Sequence, residues 1–126
     1  MTSESQKPVL ISILELGGYP DFSKLYESLG FDVFTLPSMR KATQFIKKNR
    51  VHTIVTEFNF QSDFRDRSSQ VETLMASLAQ KPDVEVIIFY DKEQQHQFQR
   101  VADRFTFKAA LCYPIEAEDI RNIFET

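Results

Sequence analysis

The sequence is short of several things, and each shortage excludes a class of function. It has one cysteine, Cys112, so no internal disulfide can form, which fits a reducing, cytoplasmic setting. No apolar run approaches the roughly 20 residues of a membrane span. The opening MTSESQKP lacks a basic stretch followed by an apolar one, so no secretory signal is expected. Neither sign of charge dominates: 15 basic against 18 acidic residues leave a net charge of −3, spread along the chain. That pattern leaves no electrostatic footprint for nucleic acid or an anionic membrane. The two histidines, His52 and His96, have no Cys, His or acid at metal-ligand spacing. Gly17-Gly18 sits outside any G-x-G-x-x-G or Walker pattern and reads as a turn. No metal and no cofactor is therefore expected. Tryptophan is absent while phenylalanine occurs twelve times, a matter of packing that says little about function.

What is present is the balance of an ordinary globule, 42% apolar and 26% charged over 126 residues, long enough for one cored domain. Residues 1–7 read as a frayed lead-in and 8–126 as the domain. Five short β-rich or apolar runs predict strands: Val9–Leu14, Phe31–Leu36, Val51–Phe60, Val84–Tyr90 and Ala109–Tyr113. Between and after them, apolar residues recur at helical spacing. Phe22, Leu25, Tyr26 and Leu29 follow Asp21 as a cap, with Gly30 as the stop. Ala42, Phe45 and Ile46 follow Ser38. Val71, Leu74, Met75 and Leu78 follow Ser69, after a polar loop at 61–69. Phe98, Val101, Ala102 and Phe105 mark a fourth helix, and Ile120, Ile123 and Phe124 a fifth. Strands alternating with helices demand a parallel sheet covered on both faces. The short last helix is either naturally stubby or the end of one domain cut from a longer protein.

The central stretch Val51–Phe60 ends in an acid, Glu57, where open α/β sheets place their ligands. Cys112, inside an apolar strand, reads as a small buried hydrophobe. The Phe64-Arg65-Asp66-Arg67 loop is either a partner contact or a solvated loop.

Over residues 8–125 the order and spacing resemble the receiver domain of bacterial two-component response regulators. Gly30-Phe31 matches the glycine–aromatic pair that leads into strand two of that family. Glu57-Phe58-Asn59-Phe60-Gln61 stands where it has a phospho-accepting Asp in a D-x-N-M-P turn. Tyr90 stands at the switch Thr or Ser, and Tyr113-Pro114 at the Lys-Pro that ends strand five. The resemblance implies a three-layer α/β/α, doubly wound five-stranded parallel sheet of the flavodoxin/CheY-like type, strand order 2-1-3-4-5.

It also implies a site that this sequence does not fill. Counting back from Gly30 puts the two Mg²⁺-holding acids at Ile13 and Leu14, with only Glu15 acidic beside them and Asn59 in the strand-three turn. Mg²⁺ wants carboxylate oxygens. Tyr113 has no positive charge at neutral pH to meet a phosphoryl group. Glu57 displaces its carboxylate by one methylene in chemistry that depends on positioning. The expectation is a non-enzymatic pseudo-receiver, not phosphorylated by the usual Asp/Mg²⁺ route. Its partner would be another protein, or a second copy, on the face formed by helix four, strand five and helix five (Lys92–Phe105 and Glu116–Phe124). Glu57 would be either a fixed charge mimicking a phosphoryl group or an idle acid, solvated or capped by backbone N–H groups. Tyr90 and Tyr113 would either stack on or donate to Glu57, or simply fill the vacated pocket. The competing reading is a small flavodoxin-like ligand-binding or enzymatic domain with an acid–tyrosine pocket of Glu15, Glu57, Tyr90, Asp91 and Tyr113.

Overall fold

Thr53–Glu57 forms strand β3, and all five of its residues are buried. A strand buried on both faces must lie inside a sheet, and β3 pairs in parallel with β1 (Val9–Ile13) on one side and β4 (Glu85–Tyr90) on the other. β2 (Asp32–Leu36) and β5 (Ala109–Cys112) complete a five-stranded sheet in the order β2-β1-β3-β4-β5. This is the expected doubly wound topology. The computed structural model describes residues 7–13, 21–58 and 70–124. Leu14, Glu15, Gly17-Gly18, Asn59 and the 61–69 loop with the Ser69 cap lie outside the described residues.

Helices α2 (Met39–Lys48), α3 (Gln70–Ser77) and α4 (Gln95–Ala102) cover one face, and α1 (Ser23–Ser28) and α5 (Ala117–Phe124) the other. Strand alternation divides the core accordingly. Ile11, Ile13, Ile54, Phe58, Val86 and Ile88 meet α2, α3 and α4, while Leu10, Val55, Ile87 and Phe89 meet Tyr26 of α1 and Ile120 of α5. Helix α2 shows why the pattern folds this way. Met39, Ala42 and Ile46 are buried, while Arg40, Lys41, Lys47 and Lys48 are exposed. The Ser38 hydroxyl accepts the Lys41 N–H at 3.2 Å, as its position in the sequence predicts. Gly30 ends α1 at φ +102°, a conformation open to glycine and strained for other residues.

Several local expectations are corrected. Asp21 sits one residue too early to begin the helix, and its carboxylate instead accepts the Ser23 N–H at 3.0 Å. The fourth helix, read as carrying Phe98, Val101, Ala102 and Phe105, stops at Ala102. A 3₁₀ turn at Lys92–Gln94, capped by the Asp91 carboxylate on the Glu93 N–H, precedes it, and Phe105 follows its end while still packing on the core. Cys112 is only partly buried, because β5 is an edge strand, and its thiol lies 3.6 Å from the Tyr113 carbonyl.

Candidate functional site

In a parallel sheet all strand C-termini lie at one edge, so the topology brings the ends of β1, β3, β4 and β5 together. Glu57 closes β3 there, in register with Phe89 of β4, and the next residue continues the ladder through Phe58 N–H to Phe89 O at 2.8 Å. Alternation puts Glu57 on the same side as Val55, toward α1 and α5. Its side chain is only 2% exposed, so the solvated version of the idle-acid reading does not hold. A buried carboxylate is costly unless it is paired or neutral.

Ile13 ends β1 at 1% exposure, in the core layer beneath α2, α3 and α4. An apolar side chain there offers no oxygen to a hard cation, and among the described residues no three His, Cys, Asp or Glu side chains gather at one place. The described residues at this edge do not fit Mg²⁺. Leu14, Glu15 and Asn59 lie outside them.

The tyrosines do not line up as a pocket around the acid. Tyr90 shares its side of the sheet with Val86 and Ile88, and its ring stacks on Phe98 of α4, centroids 4.5 Å apart and planes 13° from parallel. It therefore faces α4, across the sheet from Glu57. Burial, with the Cys112 thiol second, raises the Tyr90 phenol above its ordinary range. Tyr113 is 45% exposed, so it does not fill a vacated interior. Its N–H extends the β4–β5 ladder to Tyr90 O at 2.8 Å, and the Tyr113–Pro114 peptide is cis. Asp91 is committed to capping the 3₁₀ turn. The acid–tyrosine pocket of the competing reading is thus not assembled by Tyr90 and Asp91.

Sequence reasoning missed what stands in its place. Phe98 receives the edge of Phe58 at 5.3 Å and 72°, the face of Tyr90, and Phe107 at 6.0 Å and 28°. The twelve phenylalanines were the available signal, but composition does not say which rings meet. One cavity, of about 270 Å³, lies at the opposite edge of the sheet, beside Lys7, Arg50, His52 and Asp83, far from this end of the strands.

No family model and no curated protein sequence matches the chain. Solved structures do. A response-regulator receiver domain protein from Clostridium thermocellum superposes with a TM-score of 0.73 at 16% identity, over 94% of this chain and 91% of its own. A response-regulator receiver protein from Sinorhizobium medicae gives 0.72 at 14% identity, over 96% and 94%. A protein described as an adenylate cyclase from Rhodopirellula baltica gives 0.68 at 15% identity, over 95% and 86%. The chain has the receiver, CheY-like fold. No helix among the described residues is long and apolar enough to cross a membrane.

Proposed function

We propose that this domain is a non-catalytic signalling module of receiver type, which acts through protein contacts and is not phosphorylated by Asp/Mg²⁺ chemistry. The observation that carries the reading is the pairing of a 2%-exposed Glu57 with a core-facing Ile13. Phosphoryl transfer is catalysed by positioning and charge neutralisation, and it needs an acid that a donor can reach beside a metal. Here the acid is enclosed, and Ile13, where the resemblance puts an acid, is hydrocarbon facing the opposite side of the sheet. Tyr113 at the lysine position adds no cation, and Tyr90 at the switch position is engaged with α4.

The contact surface in this reading is the α4–β5–α5 face. Its exposed residues include Gln95, His96, Gln99 and Arg100 on α4, Ala110 on β5, and Glu118 and Arg121 on α5. So polar a face suits a reversible contact with a protein or a second copy better than a permanent one.

The test is incubation of the full chain with acetyl phosphate and Mg²⁺, read by intact mass. No phospho-adduct is expected. A gain of one phosphoryl group on Glu57 would overturn the reading. Replacing exposed α4 residues, as in Arg100→Glu, should weaken self-association or partner capture, while substitutions on exposed α2 lysines should not.

A further inference from the structure

The edge of the sheet away from Glu57 has a cavity of its own, of about 270 Å³, at the starts of β1, β3 and β4. Its rim is built on fixed backbone. His52 N–H donates to Val9 O at 2.9 Å, Glu85 N–H to His52 O at 3.0 Å, and Asp32 N–H to Pro8 O at 2.9 Å, so the strand ladders hold it from both sides. Pro8, Val9 and Val51 give it an apolar wall, and Val51 is itself part of the core.

Strand order distributes the charges around this wall. β3 lies between β1 and β4, so Arg50 and His52, just ahead of β3, sit between Lys7, ahead of β1, and Asp83, ahead of β4. The rim is cationic toward β1 and acidic toward β4. Close by, Glu85 and Lys108 pair with each other at 3.5 Å. Lys7, Arg50 and Asp83 form no ion pair among the described residues. The His52 ring is held in place, with Nδ1 2.7 Å from the Thr53 hydroxyl and its centroid 6.0 Å from that of Phe31. Its Nε2 has no partner among the described residues.

We infer that this cavity binds a small bifunctional acid, an amino acid or a hydroxy acid. Lys7 and Arg50 hold its carboxylate, and its amine or hydroxyl donates to Asp83. An apolar concavity bordered by a few convergent polar groups is the usual form of a small-molecule site, and this one is just under the about 300–1,000 Å³ of drug-sized pockets, so its occupant is small. A guanidinium presents paired N–H donors that match a carboxylate, and the Lys7 ammonium adds a second charge beside it. Two cations against one acid leave a single positive charge in excess, which suits one carboxylate better than a doubly charged phosphate. An acid with no donor group would leave Asp83 facing the ligand unpaired, which costs affinity. The site goes beyond the signalling reading. It uses neither Glu57 nor the contact face, and it stands or falls without them.

A ligand that binds only the folded chain raises its melting temperature. Melts of the full chain with the common L-amino acids, L-lactate and L-malate, each against sodium chloride of equal ionic strength, therefore test the site. At least one of these acids should raise the melting temperature by about 3–6 °C at roughly tenfold excess over its dissociation constant. The same acid should move the amides of Val9, Val51, His52 and Asp83 and leave those of α4 in place. Butyrate, which lacks the donor, and inorganic phosphate should bind about tenfold more weakly. Arg50→Met should weaken the best acid by about tenfold or more, since it removes charge-assisted bonds. Lys41→Met removes a charge at the far end of α2 and should change nothing. Asp83→Asn should weaken the amino or hydroxy acid while leaving butyrate as it was or tightening it. All three positions are exposed, so these variants should fold. The inference is overturned if none of the acids moves those amides, if butyrate or phosphate binds as well as the best of them, or if binding survives Arg50→Met.

Discussion

The rings of Tyr90 and Phe98 lie face to face, 4.5 Å between centroids. A bulky aromatic thus occupies the strand-four position where the receiver resemblance leads one to look for a small hydroxyl residue, and it has become part of the packing. Tyr90→Thr should therefore destabilise the domain instead of restoring a lost feature. The expected cost is about 2 kcal/mol, above the ~0.5–1.5 kcal/mol of a ring pair alone and below the ~3–5 kcal/mol of truncating a fully buried aromatic. Tyr90→Phe keeps the stack and should stay within about 0.5 kcal/mol. Urea unfolding of the three proteins checks both, and a Thr variant as stable as the parent would show that the stack contributes nothing.

Tyr26 and Tyr90 carry phenols raised above the ordinary 10.0. Tyr26 is raised by burial first and by the Asp21 carboxylate second, and Tyr90 by burial first and by Cys112 second. A proton held more tightly in the folded state gives stability that is complete below pH 10 and lost as pH rises through the folded value. Stability should thus be flat on this account below pH 10 and fall above it. Absorbance of the phenolate should show a late-titrating fraction that disappears on unfolding. Tyr26→Phe should remove part of that fraction, and a single step at the ordinary value for all tyrosines would contradict the burial of Tyr26.

Gly30 holds φ at +102°, yet a methyl group built there would meet nothing within 4 Å. Gly30→Ala should therefore cost backbone strain alone, about 1–2 kcal/mol, with no packing penalty. An Asn in its place, which tolerates positive φ better than Ala does, should recover part of that loss. Thermal melts of the two variants decide it, and an Ala variant of unchanged stability would mean that the turn relaxes to another conformation.

Much of this fold can be read from the chain because local signals agree with each other. The Ser38 cap, the Gly30 stop and four of the five strand runs sit where the periodicity puts them, within a residue or two of the observed ends, while the third, read to Phe60, ends as a strand at Glu57. The site was less legible, for a physical reason. That Glu57, Tyr90 and Tyr113 end neighbouring strands follows from their positions, but whether they meet depends on strand parity, and parity is set by register. A one-residue difference sends a side chain to the opposite face. Tyr90 has the parity of Ile88, so it turns to α4, while Glu57 has the parity of Val55 and turns to α1 and α5. Nor does the spacing of Phe58, Phe98 and Phe107 along the chain announce that one ring collects the other two. Such contacts are fixed by tertiary packing, which leaves little trace in a period of two or 3.6.

Ile13 offers the sharpest way to ask whether a metal site is latent at this edge. It stands where the resemblance implies an acid, but it is 1% exposed and belongs to the core cluster of Met39, Ala42 and Ile46. Ile13→Asp therefore inserts a carboxylate into hydrocarbon with no partner supplied. An uncompensated buried charge costs about 3–5 kcal/mol, a large share of the ~5–15 kcal/mol that holds a domain together. The variant should melt far below the parent at neutral pH. It should recover part of the loss in acid, because a protonated carboxyl is cheaper to bury than a charged one. Millimolar Mg²⁺ should not rescue it, since Glu57 faces the other side of the sheet and the two carboxylates would not converge on one ion. Melting curves of parent and variant, with and without Mg²⁺, separate the two cases. A Mg²⁺-dependent rise in the variant's melting temperature would mean that the two strand ends still form a cation site once the acid is returned.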